Sequence, residues 1–460
     1  MTLSINRRKV LMSTLFGAGY VGLRALATGI PAAILMKGSR AFADGTVSCS
    51  STVKTKAQYF VMATSGLGDP INANVPGTYD GTINHPDPAD GSMKETAMTI
   101  GGQSVNAAAP WAALAPWLSK TQFWHIMSNT PVHPREGDVL SLLNTTASNE
   151  MLPSLICKQV APCLGTIQAQ PITVGATTPS EGLRFNGQAL PIIPPLALKD
   201  TLTDPSGPLM TLQSMRDSTL AQLSSIYGAT ATKAQKAYLE ALLTSQQQVR
   251  SINQALLAQL NSITDNTVGS QITAAITLIQ MQVTPVIAIH IPFGGDNHSD
   301  PLLATEGLQT AGLTAQGKTA VTGVPAIVQL LQALDANNDM SGNALSKSTS
   351  FMTLNVFGRT LVQTGTTGRQ HNPNHQVSVV IGTPFQSKII GGVVSLGTTA
   401  KDYSCLPLDS TSGAGTTSGD VKTTDTLASF GKTMLAAVGV DSDTIASSVN
   451  GGTVIAGALA

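Results

Sequence analysis

Five short runs rich in aliphatic and aromatic residues punctuate the chain: Gln58 to Ala63, Gln122 to Met127, Val286 to Pro292, Phe351 to Phe357 and Val377 to Ile381. Their length and bias toward β-formers read as strands buried on both faces. Between them the apolar spacing turns helical, at Trp111 to Leu118, Asp138 to Val160 with a break at Pro153, Ser270 to Gln282 and Val324 to Leu334. Strands separated by helices predict an α/β fold, a mainly parallel sheet flanked by helices.

The largest interruption is a pair of helical patterns, Thr211 to Tyr227 and Lys233 to Ser262, broken at Gly228. In the second, Leu239, Leu242, Val249, Leu256 and Leu260 form one stripe, so residues 208–265 read as an inserted helical hairpin. The stretch from Ala169 to Lys199, with five prolines and three glycines, reads as a long ordered loop or a strand pair. The Ser, Thr and Gly-rich segment Ser410 to Asp425 reads as a flexible surface loop. Leu427 to Val438 reads as a helix returning to the core within a C-terminal tail, 398–460.

The first 43 residues carry six basic and no acidic side chains, with Arg7-Arg8 ahead of a mild apolar stretch and Ala41-Phe42-Ala43 at its end. This predicts a twin-arginine export signal cut between Ala43 and Asp44, and the twin-arginine translocase as a partner. Arg24 falls mid-stretch, where a charge costs roughly 2.5 to 3.5 kcal/mol in a bilayer helix, so cleavage is expected over retention. No later segment is long and apolar enough to span a membrane, which leaves no stable anchor and a periplasmic or secreted protein. The twin-arginine route carries chains that have already folded, often around a cofactor, and so hints at a metal.

Of 26 basic and 26 acidic residues, removal of the signal leaves 20 basic ones against all 26 acidic ones. A negative balance of that size argues against a nucleic acid partner. Cys49, Cys157, Cys163 and Cys405 form an even set in a chain bound for an oxidising compartment, which predicts two disulfides. Three pairings are open; the sequence favours a local Cys157–Cys163 loop around Pro162, with Cys49 joined to Cys405.

In an open parallel sheet, ligands collect at the carboxyl ends of the strands. Two loops there have suitable chemistry. One is Gly294-Gly295-Asp296-Asn297-His298-Ser299-Asp300, the other Phe357-Gly358-Arg359-Thr360 through Gly368-Arg369-Gln370-His371-Asn372-Pro373-Asn374-His375. If the strands are close, carboxylates and imidazoles suited to one divalent cation (zinc, manganese, iron or calcium) share a neighbourhood. The competing reading is that these side chains hold glycine-rich loops by hydrogen bonds. His125 and His290 lie within strand patterns and read as core histidines, His85 as a surface residue.

The signal, Ser65-Gly66-Leu67-Gly68-Asp69 after the first strand, Gly294-Gly295-Asp296-Asn297-His298, Val356-Phe357-Gly358-Arg359-Thr360 and Gly368-Arg369-Gln370-His371 together resemble an uncharacterised twin-arginine-exported family. That family, of the domain-of-unknown-function type, is related to the sulfatase and alkaline phosphatase superfamily. The resemblance spans most of the mature chain in the same motif order. It implies one alkaline-phosphatase-like domain over 44–460 and a two-metal site that attacks phosphate or sulfate esters. Carried over residue by residue, Asp69, Asp296, His298 and His371 become metal ligands. His375 joins them from the same loop, and Arg359 and Arg369 are expected on an anionic substrate group.

Three departures stand out. Val356 replaces a family Glu and cannot bind a cation, Gln370 replaces an Asp, and His133 and Glu136 stand where a nucleophilic Ser or Thr is expected. A two-metal hydrolase needs both ions to clamp the attacking and leaving oxygens. Two expectations therefore stand side by side: a metal-dependent ester hydrolase, and a non-catalytic exported binding or scaffold protein with a degenerate metal site.

Overall fold

In the computed structural model the described residues are 49–460 apart from 69, 80–82, 84, 86–92, 167, 177–180, 204–221, 223–255, 257, 295, 297, 299–322, 362–368 and 398–401. The expected export signal and most of the inserted helix pair lie outside them. The chain divides into two compact units, residues 1–47 with 193–265 and residues 48–192 with 266–460. In the first unit, helix Pro195–Thr203 is described, and Lys199 donates from Nζ to the Ile263 carbonyl at 2.8 Å.

The second unit is built on a seven-stranded sheet. Its strands are β1 (Tyr59–Ser65), β2 (Thr121–Ile126), β3 (Ile172–Thr173), β4 (Val286–Ile289), β5 (Thr349–Asn355), β6 (Gln376–Ile381) and β7 (Lys388–Ile390), in the order β7-β2-β6-β5-β1-β4-β3. β5, β1, β4 and β3 pair in parallel, as do β7 and β2, while β6 runs antiparallel to both β2 and β5. Six strands therefore share one direction, and their carboxyl ends share one edge with the amino end of β6. All five expected strands are present, and the short edge strands β3 and β7 are additional.

β1, β2, β4, β5 and β6 are buried along their whole length, so both faces are covered. Neighbouring side chains on a strand point to opposite faces, and β2 shows what each face meets. Phe123 packs edge-on against Trp111 of the 3₁₀ segment Ala109–Lys120, and Trp124 edge-on against Phe430, both at 5.3 Å between ring centres. The Trp124 face carries Phe60, Met62, Met352, Leu354 and Val380, which form one core with the helices Leu152–Leu164 and Thr426–Ala437. Helices Val268–Gln280 and Val324–Ala336 pack on one another.

The disulfide is Cys49–Cys163, with Cα atoms 5.1 Å apart, while Cys157 and Cys405 are buried free thiols. This corrects both expected pairings. Cys157 and Cys163 lie on one continuous helix. Six residues along a helix span about 9 Å, beyond the reach of a disulfide, and Pro162 in the last turn does not break it. Burial drives the Cys157 thiol upward and the Cys405 thiol to about 12, so both stay protonated.

The polar segment from Ser410 to Asp425 lies largely at the surface, as expected, and is held by hydrogen bonds at several points. Leu408 and Val421 exchange backbone bonds at 2.9 Å, and Asp420 takes both the N–H and hydroxyl of Ser410. The following helix, Thr426–Ala437, is buried as expected. The last residues are also tied down, for Ala460 donates to the Pro384 carbonyl at 2.9 Å.

Candidate metal centre

Loops leaving β1, β2, β4 and β5 converge at the shared edge, and the approach to β6 meets them there. After β2, Pro131 and Pro134 stiffen the segment that presents His133. After β4 come Asp296 and His298. After β5, Gly358–Arg359 pairs with His371–Asn372 in a two-residue antiparallel ribbon that places Arg359 opposite His371. Gly358 has no room for a side chain, since a Cβ there would lie 2.2 Å from the His375 carbonyl oxygen.

One atom each from His133, Asp296, His298 and His371 falls within 4.8 Å of all the others, a set able to hold a metal ion. The hydrogen bonds around the rings fix which nitrogens face the centre. His133 Nδ1 lies 2.8 Å from the Gly66 carbonyl, His371 Nδ1 2.5 Å from the Pro131 carbonyl, and His298 Nδ1 2.9 Å from Gln370 Oε1. Those oxygens only accept, so each Nδ1 carries a hydrogen, and in the neutral ring each Nε2 keeps a lone pair. His298 Nε2 lies 2.8 Å from His371 Nε2 and 3.0 Å from Asp296 Oδ1, and His133 Nε2 lies 3.5 Å from Asp296 Oδ2. Four ligands about 2.1 Å from a tetrahedral ion stand ~3.4 Å apart, and these separations bracket that value. Histidines that bind metals characteristically donate their other ring N–H to an oxygen in this way.

Asp296 is the carboxylate of the set. Burial pushes its pKa up, but the hydrogen bond and charge of Arg359, with His133 and His298 beside it, outweigh burial and hold it below the usual carboxylate range. His371 is pushed below the ordinary imidazole value, by burial first, with the charge of Arg359 adding to it against the opposing Pro131 contact. Both shifts favour the species a cation needs, an ionised carboxylate and a neutral ring. Phe357 floors the site, with its ring centre 4.2 Å from that of His371 and 5.0 Å from that of His133.

The arginines serve the site differently from the sequence expectation. Arg359 is fully buried, and its guanidinium donates to the carbonyls of Gly68, Leu67 and Arg369 and, at 3.0 Å, to Asp296 Oδ1. Arg369, also fully buried, donates to the carbonyls of Thr360 and Leu361. These contacts tie both guanidiniums to loop carbonyls, where the sequence expectation placed them on a substrate anion.

His375 is likewise corrected. It is fully buried outside the cluster, and its Nε2 lies 2.9 Å from His125 Nδ1. Three residues, Asn372-Pro373-Asn374, separate it from His371 and turn the chain onto β6, so the two rings part. His125 Nε2 contacts the Pro76 carbonyl at 3.1 Å, and Asn72 Nδ2 reaches His375 Nδ1 at 3.2 Å. The only consistent chain of donors makes both rings neutral and Nε2-protonated. Burial lowers the His125 pKa to about 4 and that of His375 well below the imidazole range. Asn72 also brackets Arg359, accepting from its N–H and donating to its carbonyl, both at 2.8 Å.

His290 is the core histidine expected, with Nδ1 3.2 Å from Oε2 of the fully buried Glu181. His85 stacks on Tyr79 at 3.7 Å between ring centres, where a plain surface role was expected. Val356 is fully buried in the apolar core. Asp69 and Asp300 lie outside the described residues. Two residues at or near the cluster were not expected there from sequence. His133 stands alone in a proline-rich segment with no ligand spacing, and Glu181 lies in the Pro/Gly-rich stretch. No protein-family model, no curated protein sequence and no solved structure matches this chain.

Proposed function

We propose that this protein is an exported metalloprotein that holds one divalent cation through His133, His298, His371 and Asp296 and hydrolyses phosphate or sulfate esters with it. The observation that carries the metal reading is the convergence of three Nε2 lone pairs and one carboxylate, each ring tied at Nδ1 to an acceptor oxygen. This donor set suits zinc, manganese or iron better than calcium, which takes six to eight oxygens. An ion so held supplies Lewis acidity and a water acidic enough to ionise near neutral pH. Arg359 keeps Asp296 ionised, and Phe357 excludes water from below the rings. The side chains of Asp296 and His298 are 44% and 36% exposed, so a substrate can reach the centre from the solvent side.

Export by the twin-arginine route, implied by Arg7-Arg8 and the Ala43-Asp44 junction, belongs to the same reading. A second reading, a non-catalytic metal-holding scaffold, draws support from the burial of Arg359 and Arg369 against backbone carbonyls, which leaves neither for an anionic substrate. The test is metal analysis of natively exported protein never exposed to chelator, followed by assay on aryl phosphate and aryl sulfate esters. One equivalent of metal with ester turnover lost in His298→Ala supports the hydrolase, and metal without turnover favours the scaffold. A metal-free, folded protein overturns both.

A further inference from the structure

We propose that Glu181 is a positioning residue of this centre, acting through the backbone loop Gly66-Leu67-Gly68. The inference rests on the metal reading for its consequence and on the hydrogen bonds alone for its geometry. Three successive carbonyls of this loop turn toward the site. Gly66 accepts from His133 Nδ1 at 2.8 Å, and Leu67 and Gly68 accept from Arg359 Nη2 and Nε. The loop thus aims both the ligand that the sequence missed and the cation that holds Asp296.

A loop of this kind needs an anchor, because carbonyls can swing by peptide rotation unless their neighbours are fixed. Gly68 supplies part of it, at φ +67° with Phe357 only 2.0 Å from where a Cβ would stand. Ser65 supplies another part, its hydroxyl oxygen accepting from Leu67 N–H at 3.2 Å. The side-chain anchor from a distant segment is Glu181, whose Oε1 accepts from Gly66 N–H at 3.1 Å while Oε2 faces His290 Nδ1. The Gly66 N–H and carbonyl belong to different peptide units. The coupling is therefore mechanical: Glu181 fixes the φ/ψ of Gly66, and the carbonyl direction follows. Outer-shell partners that orient a ligand change metal affinity by roughly 10–100-fold when removed.

The test is titration of the chelator-treated mature protein with cobalt(II), read by its visible ligand-field bands, for wild type, Glu181→Ala and Glu181→Gln. Alongside it, the ring 15N spectrum of His133 is recorded in the metal-free proteins. Glu181→Ala should weaken cobalt by about 10–100-fold, shift its bands, and change the His133 ring signals. Glu181→Gln keeps an oxygen toward Gly66 N–H and should restore affinity to within about twofold. Glu181→Ala with wild-type affinity, bands and ring signals overturns the proposal. Should it fail to fold, wild type decides, for a Gly66 amide that exchanges as fast as an exposed one overturns the assignment and a protected one supports it. Wild type that takes up no cobalt sinks the metal reading alone, and the ring spectra still decide the role of Glu181.

Discussion

His298 Nε2 and His371 Nε2 face one another at 2.8 Å, although each ring has already placed its hydrogen on Nδ1, toward Gln370 and Pro131. Two lone pairs held that close repel unless a cation or a proton stands between them. The arrangement is one that a bound metal relieves, and the Arg359 charge beside Asp296 works against the alternative of an extra proton.

Single substitutions should therefore separate ligands from neighbours. His133→Ala, His298→Ala and His371→Ala should each weaken zinc by more than the roughly 10–100-fold expected of an outer-shell change. His375→Gln should leave the stoichiometry of the wild type. Competition titration against a chromophoric chelator reads both, and loss of the metal in His375→Gln would return that residue to the site.

Acid should destabilise the apoprotein through the buried imidazole pair. Folded His125 has its pKa lowered to about 4 from an ordinary 6.5. Below pH 6.5 the unfolded chain binds a proton that the folded chain refuses, so stability falls as pH drops and levels off below about 4. The shift corresponds to about 3 kcal/mol for His125, and His375 adds in the same direction. Urea unfolding with chelator present, across that range, should show the slope, and His125→Gln should flatten it.

Arg359 should behave as a brace. Arg359→Met leaves the carbonyls of Gly68, Leu67 and Arg369 without their donor and should cost about 3–5 kcal/mol of stability. Lysine should rescue little, since a point ammonium cannot reproduce the fork. A stable Arg359→Met protein that has lost only ester affinity would instead favour a substrate contact.

Peptide mapping under alkylation should find Cys49 joined to Cys163, with Cys157 and Cys405 modified only after denaturation. The bridge closes a separation of 114 residues, for which chain entropy predicts about 5 kcal/mol of stabilisation. Cys163→Ser should lower the urea midpoint accordingly.

The five buried strands were legible because a strand covered on both faces is apolar at every position. β3 and β7 were not, being two and three residues long. Asp296, His298 and His371 were legible from loops that follow or precede such strands. His375 misled because sequence nearness to His371 does not survive the turn at Pro373. The contacts of His133 and Glu181 with Gly66 were not legible, because they cross 67 and 115 residues of chain. The cysteine pairing failed for a related reason, since it turned on whether Pro162 ends a helix or rides in its last turn.

The reversed direction of β6 bears on how the centre is put together in space. β6 pairs with both β2 and β5, so it is the wedge that brings the β2 exit beside the β5 exit. Arg359 and His371 meet within their own ribbon, whereas His133 follows β2 and reaches them across β6. The set that could hold a metal ion is thus a property of the closed sheet and of no single loop.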